Sequence, residues 1–409
     1  MPLHFVDLGI IVVVASLTAT FFGWMKQMPM MGYVLAGVVL GPSIMGVMDS
    51  EADINFVAEL GVILLLFILG MELPLQAFKQ SYKPALVVTT GLVILSLFLM
   101  FIIGFVVDIT LSEKIVYGFI ISLSSTAVAV KLLEAVDLKD KGTGQIAISV
   151  LIAQDLVFVP MIMIINGMGM GEIDFSFIPK ILAAIAVFLG VIWYLSKREK
   201  IHLPFEKTVH KHRDIIPVAA LAWCLAGAGL SEFAGFSPAF GAFLAGLIIG
   251  NSHSKDVVFH RVEPMQNVLI MVFFLSIGML IDFGVIAENW LLITLVLLGS
   301  LAFKTVASVF LLKISLPADR WRCSFVTGLT ISQIGEFSFI LAAAALSNGI
   351  LGTESYKIIL AVIALSLVVS PLWVELLQRF VVVAYRQTSV TGLRQALEKI
   401  VTRPVSSEV

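Results

Sequence analysis

Long apolar runs, each closed by charged residues or by glycine and proline, follow one another along the chain near 6–25, 29–47, 54–72, 84–107, 114–134, 143–165, 177–195, 213–232, 237–250, 264–282, 287–312, 321–347 and 355–384. A helix rises about 1.5 Å per residue, so runs of this kind match a bilayer core of about 30 Å. The pattern predicts an all-α polytopic membrane protein with thirteen transmembrane helices. The first run lacks the basic start and small-residue cleavage site of a secretory signal, and is expected to be a retained helix.

Composition agrees. The chain is 59% hydrophobic and only 13% charged, too apolar to cover itself with a polar surface in water. Cys224 and Cys323 both fall inside apolar runs, which excludes a disulfide framework or a cysteine metal site. A formal net charge of -2 points to no nucleic-acid partner.

The distribution of charge says more than its total. An odd number of spans puts the chain ends on opposite sides of the membrane. With the N-terminus outside, nearly all lysines and arginines fall in the inner loops and tail; only Lys114, Lys180 and Lys357 lie outside, and Lys304 lies within a span. The bias toward the cytoplasmic side fixes the expected orientation: N-terminus out, C-terminus in.

The chain also repeats itself. Tyr33 to Ser43 (YVLAGVVLGPS) aligns with Ala242 to Ser252 (AFLAGLIIGNS), Gly70-Met71 with Gly278-Met279, and Gly118 to Ser122 (GFIIS) with Gly328 to Ser332 (GLTIS), all at nearly one spacing. Residues 1–165 thus correspond to 213–384, and the single linking span at 177–195 makes the second copy enter from the opposite face. The expectation is two inverted six-helix repeats plus a linking helix, a transmembrane domain over 1–386 and a short cytoplasmic tail over 387–409.

In each repeat the fifth span is interrupted. Ser124, Ser125 and Thr126 interrupt one, and Ser332, Gln333, Gly335 and Glu336 the other. Hydroxyls that compete for backbone bonds, and a glycine, weaken a helix there. Small and polar residues are also common where membrane helices pack closely, but two interruptions at equivalent positions favour a pair of crossed, discontinuous helices.

One residue needs a reason to exist. Asp155, beside Gln154, lies roughly 18 Å from the inner end of its span, near mid-membrane. A carboxylate at that depth costs at least about 2.5 to 3.5 kcal/mol, so such residues face a protein interior or wet cavity and mark ion or proton paths. By the same arithmetic Ser124 to Thr126 lie roughly 15 to 18 Å deep, Lys304 roughly 14 Å, and Gln333 to Glu336 roughly 16 to 21 Å. Lys304 is too deep to snorkel and is expected to pair with Asp155 when no ion is bound. Glu336 has two readings, a coupled charge or a group that neutralises free amides at the break. Glu72, Lys131 and Glu134 sit near the inner interface, where solvation suffices. The inner histidines His202, His210, His212, His253 and His260 are read as exposed.

These residues resemble the Kef-type branch of the monovalent cation:proton antiporters. The likeness rests on Pro29 to Pro42, Glu59 to Phe67, Leu123 to Ala127 (LSSTA), Ala153 to Asp155 (AQD), Glu263-Pro264, Gly278 to Asp282 (GMLID) and Gly335 to Phe337 (GEF), and covers the chain to about Arg386. It implies a sodium/proton antiporter-like fold, a homodimer, elevator-like alternating access and residence in a bacterial inner membrane. It also implies that Asp155 binds the ion, Gln154 assists, and Lys304 is the paired lysine. Gln154, where sodium-selective relatives carry Asn or Asp, points to potassium. Two departures stand out: no nucleotide-binding regulatory domain follows Arg386, so the expectation is either an unregulated transport module or a regulatory domain that is separate or removed, and the loop from Asn251 to Pro264 is basic where an acidic patch is typical.

The expected function is exchange of potassium for protons at Asp155, with no cofactor and no enzymatic activity. A sodium/proton antiporter of the same fold is the alternative. A potassium efflux channel lacks a Gly-rich filter here, a sodium-coupled anion carrier lacks an anion pocket, and an intramembrane protease lacks a second aspartate or a HExxH helix.

Overall fold

The computed structural model describes residues 5–25, 29–41, 44–46, 63–72, 82–135, 142–168, 178–197, 200–201, 215–317 and 321–387. The helices in order are α1 (Phe5–Trp24), α2 (Pro29–Leu40), α3 (Ile63–Glu72), α4 (Tyr82–Ile103), α5 (Leu111–Ser122), α6 (Thr126–Ala135), α7 (Gly142–Gly167) and α8 (Ile178–Ser196). They continue with α9 (Ile216–Phe233), α10 (Pro238–Gly250), α11 (Lys255–Met279), α12 (Phe283–Glu288), α13 (Trp290–Ser315), α14 (Trp321–Thr330), α15 (Phe337–Ser347) and α16 (Thr353–Gln387). The protein is all-helical among these residues, apart from one isolated bridge, Ile201 to Ser252. Six helices are long and apolar enough to cross a membrane, or seven counting one bent pair, and shorter apolar helices accompany them. The chain divides into two units, 1–367 and 368–409; the described part of the second, 368–387, is helical, and all that follows concerns the first.

Each expected run contains helix; the second, expected over 29–47, ends at Leu40, and the tenth differs most in extent. The tenth was expected from 264, yet α11 begins at Lys255 and bends by 42° between Met265 and Asn267, just past Pro264. Proline removes one helical hydrogen bond and kinks rather than ends a helix when its flanks hold, so the charged stretch before it is helical too. The first part of the third expected run, 54–62, together with His202, His210, His212 and the tail 388–409, lies outside the described residues.

Glycine sets how the two halves meet. A Cβ on Gly37 of α2 would strike the carbonyl oxygen of Leu275 and lie 2.8 Å from Gly278 Cα on α11. In the aligned positions of the other half, a Cβ on Gly246 of α10 would strike the carbonyl of Phe67 on α3, and one on Gly70 the carbonyl of Phe243. A Cβ on Gly41 would lie 2.9 Å from Met279 Cα, and one on its counterpart Gly250 2.7 Å from Met71 Cα. One seam is therefore built twice with the partners' roles exchanged, each time by backbones in direct contact, the small-residue packing that membrane helices use.

Around the site, α4 packs on α5, α7 and α13, and α15 packs on α5 and α7. Phe158 on α7 and Phe337 on α15 stack with centroids 5.1 Å apart, and Phe339 meets Phe274 of α11 edge-on at 6.0 Å.

Candidate functional site

Both expected interruptions are present. α5 ends at Ser122 and α6 begins at Thr126; α14 ends at Thr330 and α15 begins at Phe337. Each break frees carbonyls at one helix end and N–H groups at the next, all buried where water cannot satisfy them. The two breaks satisfy each other. Gly335 N–H donates to Leu123 O at 3.1 Å, Ser124 hydroxyl to Ile331 O at 2.7 Å, and the Gln333 side-chain amide to Ser125 O at 3.1 Å. Gly335 was expected merely to weaken a helix; its stronger reason is proximity, since a Cβ there would lie 2.7 Å from the carbonyl carbon of Ser124.

Gln154, 1% exposed, serves the first break with both ends of its amide: Oε1 accepts from Ser124 N–H at 3.1 Å and Nε2 donates to Ser122 O at 3.3 Å. An N–H on one side and a carbonyl on the other fix which end of the amide is which. Its polar atoms thus clamp the broken helix, directly beside Asp155.

Lys304 on α13 is 0% exposed. Its Nζ donates to Leu123 O, to Ser124 Oγ at 2.9 Å and to Gln333 O at 2.7 Å. The expected ion pair with Asp155 is not formed. The reason is local: the breaks leave acceptor oxygens at the C-terminal ends of α5 and α14, where the helix dipole also favours a cation, and these fill the ammonium's coordination.

The carboxyl groups sit at the opposite kind of helix end. Asp155, 5% exposed, accepts from Thr126 Oγ1 at 3.1 Å, in the first turn of α6. Glu336 precedes α15 as its N-cap residue, without a side-chain cap bond, and its carboxyl lies beside the Ser125 hydroxyl. Ser125 Oγ in turn accepts from Val128 N–H at 3.3 Å, which caps α6. The other Glu336 oxygen, Oε2, is buried without a hydrogen-bond partner, as is Gln333 Oε1. Anions at helix N-termini and a cation at C-termini are the arrangement the macrodipoles favour. Of three consecutive hydroxyls, Ser124 thus accepts from Lys304, Thr126 donates to Asp155, and Ser125 between them caps α6 beside Glu336.

Ser332 bonds only its own helix, to Leu329 O at 2.8 Å. Sequence reasoning missed three supporting groups. Ser366 Oγ on α16 accepts from Ile334 N–H at 2.9 Å, and Ser338 Oγ donates to Ile120 O at 3.0 Å. Pro160, having no N–H, leaves the Leu156 carbonyl without its helical partner one residue after Asp155. Lone polar or proline residues inside apolar helices were the available signal. His253 and His260 are exposed as expected, with His260 Nδ1 3.7 Å from Glu263. Past the end of α11, Asp282 accepts from Lys357 of α16 at 3.0 Å, which holds its carboxyl below the usual range, and it caps α12 through Gly284 N–H at 2.8 Å.

A family model described as sodium/hydrogen exchanger, transmembrane, matches residues 10–379. The chain belongs to that family. It is 36% identical over 386 residues to the iron transporter MagA of Paramagnetospirillum magneticum, covering 93% of this chain and 87% of that one. It is 30% identical to the K(+) efflux antiporters 5 and 4 of Arabidopsis thaliana, over 91% of this chain but only 66% and 63% of theirs. The fold is similar to the sodium proton antiporter MjNhaP1 of Methanocaldococcus jannaschii, with a TM-score of 0.68 at 17% identity, covering 90% of this chain and 95% of that one. The expected kinship with cation:proton antiporters stands, and the family is one of multi-pass membrane transporters rather than enzymes.

Proposed function

We propose that this chain exchanges potassium for protons at Asp155 in a bacterial inner membrane. The observation that carries the reading is the buried Gln154-Asp155 pair at the meeting of two interrupted helices, in a chain of an exchanger family. A carboxylate there binds a dehydrated cation or a proton, and each displaces the other. Exchange follows when the site moves between the two faces only in a neutralised state. The name of the plant relatives supports potassium as cargo.

The same proposal includes thirteen spans in two inverted repeats whose broken helices cross at mid-membrane, with the N-terminus outside. The doubled glycine seam with exchanged partners supports it, because a two-fold relation between halves generates that pattern. A homodimer with an elevator-like core motion completes the reading.

A second reading takes its cue from the name of the iron transporter relative. Among the described residues no group of three or more His, Cys, Asp or Glu is placed to hold a metal ion, which favours the monovalent cargo. Proteoliposomes with a pH-sensitive dye inside test both. Potassium should drive proton flux in a saturable way, sodium and rubidium pulses rank selectivity, and flux driven by ferrous iron but not potassium would overturn the reading.

A further inference from the structure

The charge of Lys304 can be read from its contacts. Leu123 O and Gln333 O are carbonyls and only accept; Ser124 Oγ spends its one proton on Ile331 O, so it too accepts from Nζ. Three acceptors need three N–H donors, which an ammonium has and a neutral amine lacks. A buried ammonium needs one compensating negative charge. Two carboxyls lie within two residues of its anchor Ser124 or next to a group bonded there: Asp155 accepts from Thr126, and Glu336 follows Gly335, whose N–H reaches Leu123 O, and lies beside Ser125. They also lie within electrostatic range of each other. Other ionisable groups do not share this burden: Glu72 at the end of α3, which also acts on Asp155, and Lys131 and Glu134 on α6 are exposed.

We propose that Glu336 is a second carboxyl of the ion site, and that it lets Lys304 stay charged throughout the cycle. This rests on the exchange function proposed for Asp155. With both carboxyls ionised and Lys304 charged, the cluster carries one net negative charge. It is neutralised either by one proton, held on one of the two carboxyls, or by one monovalent cation. One cation in therefore releases one proton, Lys304 gives up none, and the loaded cluster is neutral in both states. The unpartnered Oε2 of Glu336 is the oxygen free to take that proton or to face the ion.

The test is Glu336→Gln in proteoliposomes, reading potassium-driven proton flux against pH and potassium concentration. Without Glu336 the empty cluster is already neutral, so protons and potassium both bind more weakly. The half-saturating potassium concentration should rise about tenfold and the pH midpoint should fall by about one unit, together. Glu336→Asp should restore both. The Lys304→Gln, Glu336→Gln double variant returns the empty cluster to one negative charge, and its midpoint should move back toward wild type. A Glu336→Gln variant that folds and loses only maximal rate, with both midpoints unmoved, overturns the proposal and leaves Glu336 as a cap of α15. If Glu336→Gln fails to fold, Glu336→Asp with wild-type midpoints supports the charge role, and shifted midpoints in that charge-conserving variant overturn it. Absence of potassium-driven flux in the wild type instead removes the exchange function, and this proposal falls with it.

Discussion

The Lys304 ammonium rests 2.9 Å from the Ser124 hydroxyl and makes no ion pair with Asp155. Lys304 therefore has a mechanical task as well as an electrostatic one: it ties α13 to both helix breaks. Lys304→Met removes three buried hydrogen bonds and strands the carbonyl of Gln333, at about 1–3 kcal/mol, while Leu123 O keeps the bond from Gly335 N–H. We expect a far larger drop in thermal stability in detergent than for Asp155→Asn. Equal melting temperatures for the two variants would show that the breaks stand without the lysine.

Gln154 makes a similar point about a residue first read as an ion ligand. Gln154→Glu keeps the length but loses the donor to Ser122 O and sets a carboxylate against that carbonyl. The expected result is lower stability and a lower maximal rate, with potassium preference over sodium retained. A change of preference with unchanged stability would return Gln154 to the ion's own coordination.

That Asp155, Lys304 and the two breaks come together was legible in the sequence because an apolar helix counts distance residue by residue. The partners of each were not. Which oxygen receives the Lys304 ammonium depends on how α5 and α14 end against each other, a tertiary matter that spacing along one helix does not carry. Gly335 shows the same limit: its glycine was visible, but its reason, the Ser124 backbone against it, lies far away in sequence. The Gly37 and Gly246 repeat was read as symmetry and is, in addition, the contact itself.

That seam gives a prediction with an internal control. Gly246→Ala forces a Cβ into the Phe67 carbonyl and Gly37→Ala one into the Leu275 carbonyl, whereas Gly229 on α9 has nothing within 4 Å of the added carbon. The first two should destabilise by about 1–3 kcal/mol or more through overpacking. Gly229→Ala should be neutral or slightly stabilising by helix propensity. Thermal denaturation of the three variants separates them, and a harmless Gly246→Ala would mean the seam is loose.

The Asp282 and Lys357 pair is the part of the structure whose pH dependence can be signed. The Asp282 carboxyl is held low, chiefly by its hydrogen bond to Lys357. A depressed carboxyl contributes stability above its unfolded value and loses it as pH falls through the folded one. Lys357→Met should therefore cost stability at neutral pH and nothing at strongly acid pH. Since the pair is partly exposed, the loss should be within about 1 kcal/mol. A deficit that persists below the carboxylate range would place its cause elsewhere.

Asp155→Asn decides the central claim. The amide is close in size to the carboxyl and can still meet Thr126, so the helix breaks should hold, but it neither exchanges a proton near neutral pH nor carries the charge that binds a cation. In proteoliposomes carrying a pH-sensitive dye, a potassium pulse should move protons through the wild type and none through a folded Asp155→Asn protein. Wild-type proton flux from that variant would contradict the account and put the exchange site elsewhere in the chain.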